Sequence, residues 1–235
     1  MANILDNPIF NALVTGNKHL SSGNAHVKYI QRDVGLFAGY DISTATALKE
    51  LARMLPPGER VILFVPKAIR VTEDWEMLSG RPLLQMVHTK HTSFTADYSN
   101  IVPLNDTHIP AMLELTRLTN PGPFFDRTIE FGNYEGIFHG DQLVSMIGQR
   151  LHPGHYTEVS AVCTHPDFTG KGLAATLLQH QVDLIRAASG IPFLHLYPEN
   201  PAYHLYKKLG FRTRRRFMVY LLKRCPFSNQ KRMGT

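Results

Sequence analysis

Cysteine is scarce, with 2 in 235 residues. Cys163 and Cys225 have neither the spacing of metal ligands nor the density of a disulfide scaffold, so both read as reduced thiols, with Cys163 packed inside a strand. Long apolar runs are missing too. The longest, such as "VILFV" at 61–65, fall far short of the ~20 residues a spanning helix needs, so no membrane partner is expected. The opening "MANILDNPIF" lacks the basic start and apolar block of a secretory signal, which predicts a cytoplasmic protein. Zinc-finger spacing and ribonucleoprotein motifs are absent as well. The net charge of +6 therefore argues little for nucleic acid. Much of the excess sits in "RTRRRF" (212–217) and in the tail, where a solvated strand edge and a frayed end account for it. Composition leaves the oligomeric state open.

What is present is an α/β alternation, with 43% hydrophobic residues to fill a core. In the first hundred residues Asp6 fits the cap of a short helix with Pro8 in its first turn. "VKYIQRDVGLFAGY" then reads as a strand. "STATALKELARML" places Leu48, Leu51, Ala52 and Leu55 on one helical face, and "RVILFV" and "PLLQMVHT" (82–89) read as strands. The polar stretch "KHTSFTADYSN" (90–100) dilutes this pattern and predicts a boundary. Residues 1–98 would form an N-terminal α/β domain without a cofactor motif, 99–225 a catalytic domain and 226–235 a basic tail.

From 101 the pattern is denser. "IVPL" is a short strand, and "NDTHIPAMLELTRL" a helix with Asp106 as N-cap. "YEGIFHGDQLVSMIGQRL" reads as two strands joined at "GD", and "HYTEVSAVCTH" as a third, after the turn "HPG". Leu173, Leu177, Leu178, Val182 and Ile185 line one face of a helix over 172–187. "IPFLHLY" is another strand. Asn200 then fits an N-cap, Pro201 the first helical position and Gly210 the residue after the helix, before "FRTRRRFMVYLL" closes the sheet.

Between strand and helix lies "TGKG". A helix start offers unpartnered N–H groups and the positive end of its dipole, and glycines let a phosphate approach the backbone, so this loop can cradle a pyrophosphate. It is neither a Walker A loop nor G-x-G-x-x-G, since Ala174 and Ala175 follow. With "LHLYPENPAYHLYKKLGF" some thirty residues later, the stretch resembles the GNAT superfamily of N-acyltransferases. That family's pattern [QR]-x-x-G-x-[GA] opens a helix and is followed by a strand, an Asn and L-Y-x-x-x-G-F. The first pattern falls on Thr169, Gly170, Lys171, Gly172, Leu173 and Ala174, with Thr169 where the family has Arg or Gln. The second falls on Asn200, Leu205, Tyr206, Gly210 and Phe211, with one residue fewer than usual between Asn200 and Tyr206. The resemblance covers 101–222.

It implies an α/β mixed sheet with splayed central strands, and acetyl-CoA as the cofactor. The pantetheine arm would lie along Val162, Cys163 and Thr164, and the pyrophosphate on 169–174. Preceded by a strand-helix-strand half, this layout resembles glycine N-acyltransferase-like enzymes, in which a degenerate GNAT-like half walls the acceptor pocket. Tyr206 stands where the family commonly has the acid for the departing thiolate, and the Val162 N–H where the oxyanion is met. Glu158, four residues before Val162, shares its strand face and is the first candidate for the base, with His195 as rival; either would act through water. The loop "TNPGPFFDRT" would bring Phe124, Phe125 and Arg127 to the acceptor, a small-molecule amine, an amino acid or a protein N-terminus. The alternative is a non-catalytic acyl-CoA-binding module.

Overall fold

A computed structural model describes residues 3–90 and 97–226. The expected boundary at 90–100 falls largely on 91–96, and the basic tail on 227–235, both outside the described residues.

Helix α1 (Pro8–Val14) follows a 3-10 turn, Ile4–Asp6. Asn7 precedes α1 where Asp6 was expected to cap it; the Asp6 carboxylate instead pairs with Arg214 and Arg215. The strand expected over 27–40 is two strands. β1 (Ser21–Gly23), β2 (Val27–Ile30) and β3 (Ala38–Tyr40) form a three-stranded antiparallel sheet. The polar "QRD" and Gly35 interrupt the apolar alternation, and the N–H groups of Val34 and Gly35 both turn back to the Gln31 carbonyl. Helix α2 (Ala47–Met54) buries Ala47, Leu48, Leu51 and Ala52 as its spacing predicts.

The remaining strands build one eight-stranded mixed sheet. They are β4 (Arg60–Val65), β5 (Trp75–His88), β6 (Val102–Pro103), β7 (Glu135–His139), β8 (Gln142–Gln149), β9 (Tyr156–Thr164), β10 (Ile191–Leu196) and β11 (Phe211–Arg224), in spatial order β4-β11-β5-β10-β9-β8-β7-β6. Only β9 and β10 run parallel. β4 and β5, from the first hundred residues, flank β11, so the early and late parts of the chain share this sheet. β5 begins well before Pro82 because its exposed first half pairs with the far end of β11.

Helices cover both faces. α4 (Leu173–Ala187) lays Leu177, Leu178, Val182 and Ile185 on Ile147, Val159 and Leu194. On the other face α1 and α3 (Ile109–Thr119) bring Ile9, Leu13, Met112 and Leu115 to Met146 and Phe193. Each such side chain contributes roughly 1.5–3 kcal/mol on leaving water. Asn105, rather than Asp106, caps the turn before α3: its side chain accepts from the Thr107 N–H, and His108 Nδ1 accepts from its backbone. The short α5 (Tyr203–Lys208) precedes β11. Among the described residues no helix is long and apolar enough to cross a membrane.

Candidate active site

β9 and β10 pair only through Tyr156–Glu158 and Ile191–Phe193. Beyond that point β10 is held on its other edge by β5, and β9 by β8, so the two strands part. The pairing with β8 skips a place. Gly148 faces Ser160 and Met146 faces Cys163, leaving Ala161 and Val162 without a partner on either neighbouring strand. Ala161 stands at φ 51°, a left-handed conformation rare for a side-chain-bearing residue, as a bulge in a strand demands. Ala161 and Val162 thus lack a strand partner where β9 and β10 part.

The chain leaves β9 through a 3-10 turn, Pro166–Phe168, and enters α4 at Gly172. Gly170 (φ 76°) and Gly172 (φ 81°) take conformations that glycine adopts freely. A Cβ on either would meet nothing within 4 Å, so the outer side of the loop is open. No side chain caps α4, which leaves its first N–H groups for an external acceptor. An acyl-CoA pyrophosphate fits this arrangement. The Thr169 hydroxyl is turned inward, donating to the Pro166 carbonyl at 2.9 Å, and Lys171 Nζ rests 4.3 Å from the centre of the Phe168 ring.

Beneath the gap lies a buried charge cluster. Glu158 is fully buried and accepts from Arg150 Nε at 2.8 Å and Nη2 at 2.7 Å, while His195 Nδ1 lies 2.6 Å from its Oε1. Burial alone would raise the Glu158 pKa, but Arg150, then His195, bring it down to about 2. The His195 pKa is lowered, chiefly by burial. On the far side, Gln85 Oε1 accepts from Arg214 Nη1 at 2.7 Å, which turns its amide NH2 toward the Leu5 carbonyl (3.0 Å) and His195 Nε2 (3.1 Å). His195 is therefore the Nδ1–H tautomer, with its remaining lone pair occupied. Glu158, the first candidate for the base, thus lies in the structure as a buried carboxylate with both oxygens hydrogen-bonded.

Tyr206 on α5 is buried against Phe211 and near the Cys163 thiol. Burial first, then Cys163, push its phenol up to about 12, and burial pushes the Cys163 thiol up to about 11. Both are protonated at neutral pH. A cavity with about 940 Å³ of empty space, its mouth included, opens beside Ala161, with Phe37 and Phe64 from the early chain, Phe124, Arg150, His195 and Asn200 in its wall. Asn200 also accepts from the Ala202 N–H at 2.8 Å, at the turn before α5. Phe125 and Arg127 do not line this cavity. Arg127 is held away by Asp33 at 2.5 Å and by Glu130, because opposite charges lie within its reach on the surface.

Residues 134–219 match the FR47-like protein family. A GNAT-family protein from Novosphingobium aromaticivorans DSM 12444 is 31% identical, covers 96% of this chain and 100% of its own, and superposes with a TM-score of 0.88. The chain belongs to the GNAT family. GCN5-related N-acetyltransferases from Kribbella flavida (14% identity, 92% and 95% covered, TM-score 0.61) and Sphaerobacter thermophilus (14%, 87% and 78%, TM-score 0.53) share its fold. A search of curated proteins found no match. Membership in the GNAT family supports acyl transfer as the chemistry, and GNAT acetyltransferases generally use acetyl-CoA.

Sequence reasoning missed Arg150, Ala161 and Gln85 in this GNAT site. Arg150 had a signal: "RLHPGHYTE" is symmetric about Gly154, so a hairpin there sets Arg150 beside Glu158, as the bond from the Arg150 N–H to the Glu158 carbonyl shows. Gln85 and Ala161 had none. One depends on pairing between strands far apart in sequence, the other on a skipped register.

Proposed function

We propose that this chain transfers an acetyl or other short acyl group from coenzyme A to a primary amine in a single ternary complex. The observation that carries this reading is the unpaired backbone at Ala161–Val162, set where β9 and β10 part and just before the open glycine loop. Thr169 to Ala174 would hold the pyrophosphate, the main chain of Val162, Cys163 and Thr164 the pantetheine arm, and Asn200 the opposite rim. When bound, acetyl-CoA supplies an activated thioester carbonyl.

The Val162 N–H donates to the carbonyl oxygen as negative charge grows there. Tyr206, kept protonated by burial, gives its proton to the departing sulfur and regains one from water. Glu158 and His195 act as positioning residues: together they fix the Arg150 guanidinium at the floor of the cavity. The proton-accepting atoms of both already take hydrogen bonds, so the acceptor enters as the neutral amine and its surplus proton leaves to water. A cavity wall with a cation and, among the described residues, no carboxylate favours the uncharged form.

The test is a melting-temperature comparison with acetyl-CoA, CoA and ATP at equal concentrations, since a ligand that binds only the folded state raises the transition. Stabilisation by the first two and not by ATP supports the reading. No stabilisation by any of them sinks it, and binding without thiol release from acetyl-CoA across an amine panel favours the non-catalytic module.

A further inference from the structure

The wall of the cavity beside Ala161 combines one charged group with an apolar, aromatic surface. Among the described residues Arg150 is the one in its wall with a fixed charge, and no Asp, Glu or Lys contributes. Its Nε and Nη2 are held by Glu158, whereas Nη1 has no hydrogen-bond partner among the described residues. The guanidinium lies 4.8 Å from the centre of the Phe37 ring, so its position is set on two sides. The side chain is 21% exposed, enough for a ligand to reach. Around it the wall is apolar and aromatic: Val34, Phe64, Leu83, Phe124 and Phe131.

A fixed guanidinium N–H in such surroundings favours a carboxylate oxygen through a charge-assisted bond. Aromatic walls favour an apolar body of similar size. A second ammonium would meet Arg150 across a low-dielectric space with no carboxylate free to compensate, which disfavours polyamines and aminoglycosides. We propose that the acceptor is a free α-amino acid with an apolar, preferentially aromatic side chain, its carboxylate on Arg150 Nη1 and its side chain against Phe64 and Phe124. This rests on the acyl-transfer reading above. The amino acid nitrogen gains a bond to the acyl carbon and loses one proton, the carbon–sulfur bond breaks, and the released sulfur gains one proton. The products are the N-acyl amino acid and free thiol.

The experiment begins with calorimetric titration of acetyl-CoA. L-phenylalanine, L-leucine, phenethylamine, a phenylalanyl-glycine dipeptide and spermidine are then titrated into protein saturated with CoA, and each is assayed for thiol release from acetyl-CoA. The two amino acids should bind and release thiol, phenethylamine should have a kcat/KM ~10–100-fold lower for want of the carboxylate, and spermidine should be inert. Phe124→Ala should lower kcat/KM for L-phenylalanine ~10-fold or more while the acetyl-CoA Kd stays unchanged. If acetyl-CoA binds and spermidine, the dipeptide or phenethylamine matches or exceeds L-phenylalanine, the acceptor assignment is overturned and acyl transfer stands. If acetyl-CoA does not bind, acyl transfer falls and takes this inference with it.

Discussion

Gln85 Nε2 lies 3.1 Å from His195 Nε2, joining residues 110 positions apart in sequence across the antiparallel pairing of β5 and β10. It is the middle of a chain of contacts from Asp6 through Arg214, Gln85, His195 and Glu158 to Arg150 at the cavity. The early part of the sequence thus sets the tautomer of a histidine in the later part. Gln85→Leu removes the bonds to His195, Arg214 and the Leu5 carbonyl and leaves buried polar atoms unpaired. It should cost roughly 2–4 kcal/mol, read as a lower urea midpoint with an unchanged slope.

Glu158→Gln leaves the Arg150 charge without its counterion. Losing one partner of a buried pair typically costs ~3–5 kcal/mol, so a large drop in denaturant midpoint is expected, and a drop below ~1 kcal/mol would show the pair to be well solvated.

Acid stability follows from the same cluster. The Glu158 pKa is depressed to about 2, so its stabilisation is complete above its ordinary value and is lost as pH falls from about 4.5 toward 2, amounting to roughly 3 kcal/mol. His195 has the same sign. Its pKa is lowered in the folded state, so protonating it on acidification below its ordinary 6.5 also favours unfolding. Denaturation curves between pH 7 and 3 should show stability falling throughout, and the lower part of that fall should shrink in Glu158→Gln.

Tyr206→Phe removes one oxygen and keeps the ring on Phe211. The melting temperature and the acetyl-CoA Kd should change little, while kcat falls ~10²-fold for want of a proton donor to the sulfur. An unchanged kcat would assign Tyr206 to packing alone.

Gly170→Ala and Gly172→Ala test the loop. The added methyl meets open space, so the cost comes from the positive φ, about 1 kcal/mol each. Stability should drop slightly, whereas the acetyl-CoA Kd from calorimetry should rise ~10-fold or more as the loop relaxes. Unchanged affinity in the double variant would remove the pyrophosphate from this loop.

The sequence by itself determined the local elements and the glycine turn that opens α4. α4, β4, β9 and α2 are legible from 3.6- and 2-residue periods, and the turn at Gly170 and Gly172 from glycine's access to positive φ, because these depend on residues close along the chain. The hairpin that sets Arg150 beside Glu158 was also within reach. Only the tertiary structure decided that β5 would enter the sheet between β10 and β11, bringing Gln85 to His195, and that β4 would pair with β11, bringing Phe64 to the cavity. It alone placed the skipped register at Ala161 and turned Arg127 to Asp33 rather than to the cavity. Those outcomes depend on which distant strands pair and in what register, a choice made by the whole core's packing rather than by any local pattern.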